Sequence, residues 1–200
     1  MRILLASALV LSLFAPVAQA QMSSGNGGAA FNGMDRANDP TREMMVRFID
    51  ASRMTLAGNQ QLLSALGQSQ EAAAMGERAG QLSEAMSRRA VEETLEAQLR
   101  GMTSASKALA AGGQVPAAQL EQGLASLAQA VAQYEQLLKD LPEAKAAMNT
   151  VRKISKVDTP TFFMLRSLSG STASLKQEIR AVAQACQQAG VKVPEALLAM

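Results

Sequence analysis

Between residues 120 and 141 apolar side chains recur in alternating steps of four and three: Leu120, Leu124, Leu127, Val131, Tyr134, Leu138 and Leu141. Seven apolar residues in seven such places form the seam of a helix that packs on other helices in a left-handed supercoil. A period near 3.5 keeps one face turned toward its neighbours. A chain carrying such a seam must supply further helices to cover it, and three other segments offer matching stripes.

The first follows Asp39-Pro40, a side-chain cap and a first-turn proline whose missing N–H costs nothing. Met45, Ile49, Leu56, Leu63 and Leu66 recur there at helical spacing, and Gly67 ends the segment. Ser52 and Asn59 interrupt this stripe and are expected to face water at the edge of the core. A second helix is expected from about Ser69 to Ala111, before Gly112-Gly113, a length of roughly 65 Å at 1.5 Å per residue. Its stripe begins as Met75, Ala79, Leu82 and Met86 and resumes out of phase as Val91, Leu95, Met102, Ala105 and Leu109. The slip predicts a kink or break at Ser87-Arg88-Arg89-Ala90, and Gly76 and Gly80 weaken the first half further.

The seam helix opens at Pro116, is bent or restarted at Pro142, and extends through Met148 and Val151 to about Lys153. A last helix follows Asp158-Thr159-Pro160. Leu165, Leu168, Thr172, Leu175, Ile179, Val182, Cys186 and Ala189 line it, and Gly190 closes it. Good helix formers (Ala, Leu, Gln, Glu, Lys, Arg and Met) dominate, and only 3% of residues are aromatic. The pattern predicts an all-α protein: an elongated antiparallel bundle of about four helices with coiled-coil-like seams over residues 39–190, then a short apolar tail over 191–200.

Upstream of the bundle the pattern changes. Arg2 is followed by an apolar stretch from Ile3 to Phe14 and by Ala18-Gln19-Ala20, the order expected of a cleavable signal peptide over residues 1–20. An apolar run of about twelve residues is short of the roughly 20 that span a bilayer. Cleavage after Ala20 would start the mature chain at Gln21, and with no Cys there, lipid attachment is not expected. The protein is therefore expected to be soluble in the periplasm or outside the cell, with no integral membrane segment. Residues 21–38, rich in Gly, Ser and Asn, read as a flexible leader in which Phe31 and Met34 are available for docking or for a partner.

Removing residues 1–20 removes Arg2 as the only charged residue, leaving 18 basic and 17 acidic residues and a net charge of +1. Neither this balance nor the scarcity of aromatics suits nucleic-acid binding. With no His and one Cys, the chain cannot build Ser-His-Asp or Cys-His catalytic sets, an internal disulfide, a Cys-based zinc site or a Cys-x-x-Cys-His haem site. Glu92, Glu93 and Glu96 are the carboxylates best placed for acid–base or cation chemistry. Their neighbours Arg88, Arg89 and Arg100 stand at spacings that make ordinary surface ion pairs. Met22, Met34, Met44, Met45 and Met54 gather near the mature N-terminus, where thioethers can bind Cu(I), but Met-x-Met and Met-x-x-Met runs are missing and packing is the expected use. Cys186, on the stripe of the last helix, is expected to be buried and inert.

No catalytic residue, cofactor or metal is therefore expected. The plan of signal peptide, loose leader and long Ala/Gln-rich helices is generic, and fold alone carries no function. The reading is an exported, non-enzymatic binding or scaffold protein of the cell envelope with chaperone-like behaviour. Its partner is expected to be a protein, and self-association is open. The alternative is a component or cargo of a secretion or pilus apparatus.

Overall fold

The computed structural model describes residues 40–112, 116–154 and 159–200. The signal peptide, the leader, the Asp39 and Asp158 caps, Gly113 and the Met22 and Met34 thioethers lie outside the described residues. Among those residues the structure is six α-helices and no strand: α1 (Pro40–Ala65), α2 (Ser69–Gln81), α3 (Arg88–Ala110), α4 (Ala117–Ile154), α5 (Pro160–Gln188) and α6 (Glu195–Leu198).

The ends follow local chemistry. Ser87 and Thr159 cap α3 and α5 by accepting from the N–H groups of Ala90 and Phe162 at 3.1 and 3.2 Å. After α1, Gly67 at φ +76° lets Gln68 N–H reach back to the Leu63 carbonyl, and Gly190 at φ +79° lets Val191 N–H reach Cys186 after α5. Both are left-handed caps that an L side chain would strain. α4 runs on through Pro142 without a restart.

The expected long second helix is two helices. α2 stops at Gln81, Leu82 turns extended, and α3 begins after the Ser87 cap, so the break spans residues 82–87 and ends where the phase slip begins. Folding back is favoured because it buries Met75, Leu82 and Met86, which a straight rod would carry away from the core. α2 accordingly returns along α1: Arg53 donates to the Leu82 carbonyl at 2.6 Å and Gly76 lies against Gln60.

Arg47 meets Asp140 and Gln61 meets Ser126, so α1 and α4 are antiparallel; Glu135 meets Lys176 while Met148 and Leu165 share a cleft, so α4 and α5 are antiparallel. α1 packs on α2, α3 and α4, and α5 packs on α3 and α4, so the core lies among the four long helices. At the α1–α4 crossing, Gly58 and Gly123 face each other. A methyl on either would come within 3.1–3.2 Å of the other's carbonyl oxygen.

Most of the expected stripes are buried: Leu120, Leu124, Leu127, Val131, Tyr134 and Leu141 on α4, and Leu165 through Cys186 on α5. Leu137 takes the buried place expected of Leu138, and Ala189 is exposed. Ser52 and Asn59 correct the expectation of a wet edge, since both are fully buried. A short polar group is tolerated inside when it finds a partner. Ser52 shares a 3.0 Å hydrogen bond with the Tyr134 hydroxyl, and Asn59 Nδ2 donates to the Gln98 carbonyl at 2.9 Å. Val191 and Leu197 are also buried, so the tail docks through α6, which packs on α5.

Candidate functional site

Polar groups gather in two kinds of place, the interior and the seams between neighbouring helices. Inside, Tyr134 of α4 stands between Ser52 of α1 and Gln98 of α3, whose side-chain amide lies 3.0–3.1 Å from the hydroxyl. Phe48 meets the Tyr134 ring edge-on at 6.4 Å. Burial pushes the phenol up to about 12, against the opposing hydrogen bonds of Ser52, Gln98 and Thr55. A phenol so placed keeps its proton at neutral pH and ties three helices together, which is a structural use.

The expected candidates divide in the same way. Cys186 is fully buried and its thiol is pushed up to about 11 by desolvation, so little reactive thiolate forms. Met44 and Met45 are buried in the core and Met54 is half-buried. Of the α3 carboxylates, Glu93 sits between Arg89 at 2.8 Å and Arg78 at 2.9 Å. Hydrogen bonds from Arg89 and then Arg78 hold it below the usual carboxylate range, which keeps it a fixed charge instead of a proton donor. Glu92 and Glu96 are exposed on the same helix. Arg88 stacks over Phe163 of α5, 4.7 Å from the ring centroid. Among the described residues no three carboxylate or thiol side chains stand close enough to hold a metal ion.

The open features lie at helix–helix seams. Between α2 and α3 runs a groove of about 410 Å³, with Met75 and Ala97 on its floor and Glu71, Glu77, Arg78 and Arg100 around it. Between the far end of α4 and the start of α5 is a cleft of about 190 Å³, floored by Met148, Phe162 and Leu165 and rimmed by Lys145, Asn149 and Arg166. A third hollow, about 130 Å³ beside Pro40 and Met44, carries the Arg47–Asp140 ion pair at 2.7 Å. Sequence reasoning reached Arg100 as an ion-pairing neighbour and missed both larger clefts. Each forms only when two helices meet, and its residues are ordinary surface positions along either helix alone.

No protein-family model, curated protein or solved structure matches this chain significantly. No helix among the described residues is long and apolar enough to cross a membrane.

Proposed function

We propose that this chain is an exported, non-enzymatic binding or scaffold protein of the cell envelope, acting in the periplasm or outside the cell once residues 1–20 are removed. Its long helices α1, α3, α4 and α5 serve as an antiparallel bundle with coiled-coil-like seams, and it holds a partner protein, in the manner of a chaperone, on surfaces between them. The signal-peptide pattern of Arg2, Ile3–Phe14 and Ala18-Gln19-Ala20 supports export.

The binding reading rests on one observation, the α2–α3 groove. It combines an apolar floor with both signs of charge at its rim, the mixture that suits a polypeptide surface better than a uniform ligand. Three side chains that could carry chemistry are engaged elsewhere: Tyr134 and Cys186 are inside, and Glu93 is clamped by two arginines.

The test is photo-crosslinking in cells that export the full chain, with the crosslinking residue at position 100 in the groove or at Ala125, an exposed α4 position that lines none of these clefts. A discrete protein adduct from position 100, missing from position 125, is expected in the extracytoplasmic fraction. Adducts of equal yield and pattern at both positions, or at neither, would refute the reading.

A further inference from the structure

We propose that the cleft between α4 and α5 binds the free C-terminus of a partner polypeptide whose last residue is large and apolar. This deepens the binding reading above and rests on it. Leu165 and Met148 are buried and Phe162 half-buried beneath the cleft, while Lys145 and Arg166 are exposed at its rim. Among the described residues neither cation has an ion-pair or hydrogen-bond partner. By contrast, Arg42, Arg47, Arg78, Arg89 and Lys176 each meet a carboxylate. Two cations with no carboxylate partner among the described residues, set around an apolar hollow, are complementary to one anion carried on an apolar stem.

Size and the third rim residue choose the stem. A volume of about 190 Å³ leaves room for one large side chain beneath the rim. Asn149, exposed at the rim, offers a neutral amide whose oxygen can accept the N–H of the terminal residue. The carboxylate would take the planar fork of Arg166 and the point charge of Lys145. Capture of a terminal carboxylate beside a pocket for its side chain is an established mode of peptide recognition.

Fluorescent decapeptides of one sequence test this on the full mature chain: one ending in Leu with a free carboxylate, the same peptide amidated, and one ending in Ser. The free-acid Leu peptide should bind. Amidation, the Ser ending, Arg166→Gln and Lys145→Gln should each weaken it about tenfold, the scale of one lost charge-assisted contact. Both variants alter exposed side chains, and circular dichroism checks that they fold. Equal binding of acid and amide, binding indifferent to Arg166→Gln and Lys145→Gln, or no binding of either peptide would overturn the proposal. So would octanoate binding in the cleft where the Leu peptide does not. If the peptides fail while crosslinking from position 100 persists, only the cleft assignment is lost; if that crosslink is also missing, the binding reading falls with it.

Discussion

Gly101 is where a single methyl group should do the most damage. It lies on α3 against Asn59 of α1, and a Cβ built there would stand 2.3 Å from Asn59 Nδ2, 2.9 Å from its Cγ and 3.1 Å from its Cβ. Asn59 is fully buried, and its Nδ2 is tied to the Gln98 carbonyl at 2.9 Å, so the side chain cannot swing into water. Gly101→Ala therefore forces that hydrogen bond to break, at about 1–3 kcal/mol for a buried group, and overpacks the α1–α3 contact by about 1–3 kcal/mol. Ala is a better helix former by about 1 kcal/mol. The net expectation is a loss of about 3 kcal/mol, or roughly 6–12 °C in Tm for a chain of this size.

Urea unfolding followed by circular dichroism should show a lower midpoint at unchanged slope. Adding Asn59→Ala to Gly101→Ala should recover at least about 1 kcal/mol, since it removes the obstructing amide together with an Oδ1 that has no hydrogen-bond partner. Gly170→Ala is the control: nothing lies within 4 Å of the new methyl, so it should stabilise by about 0.5–1 kcal/mol. A Gly101→Ala protein as stable as the parent would refute the close α1–α3 packing.

Leu127 is fully buried at the α1–α4 crossing, and Leu127→Ala should cost about 2–5 kcal/mol in the same assay; a cost under about 0.5 kcal/mol, typical of a surface site, would contradict that placement. Tyr134 is the only Tyr and the chain has no Trp, so its ultraviolet absorbance follows one phenol. With its pKa raised from 10 to about 12, its contribution to stability is present below pH 10 and is lost as pH climbs from 10 to 12. Tyr134→Phe should flatten that alkaline loss, and tyrosinate forming near pH 10 in a still-folded protein would contradict burial. Cys186 should react with a thiol reagent only after denaturation, and fast native labelling or a dimer that dithiothreitol abolishes would show that the α5 stripe faces outward.

The helices were legible because burial repeats along them: the 120–141 seam and the Leu165–Cys186 stripe need only local spacing to be read. The fold-back of α2 was half legible. The phase slip marked the region, while the break itself lies at residues 82–87, where Leu82 and Met86 are buried in the core. Ser52 and Asn59 were misread because polarity shows along the chain and partnership does not. The Tyr134 hydroxyl is 82 positions from Ser52, and the Gln98 carbonyl is 39 from Asn59. Leu137 stands in the place expected of Leu138 because the seven-residue step from Tyr134 to Leu141 divides as three and four as readily as four and three, and spacing alone does not choose between them. Gly58, Gly101 and Gly123 carried a readable signal, since glycine in a helix interior costs stability unless a close neighbour requires it. The clefts carried none, because Lys145 and Arg166 become a pair only when α4 and α5 are brought together.

Everything proposed for these surfaces presupposes that the protein works beyond the cytoplasm. The most direct test is the intact mass of the untagged chain recovered separately from the cytoplasmic and extracytoplasmic fractions of cells expressing all 200 residues. The account predicts one extracytoplasmic species beginning at Gln21, as the free or cyclised residue, and finding the chain only in the cytoplasm with Met1 to Ala20 still attached would contradict it.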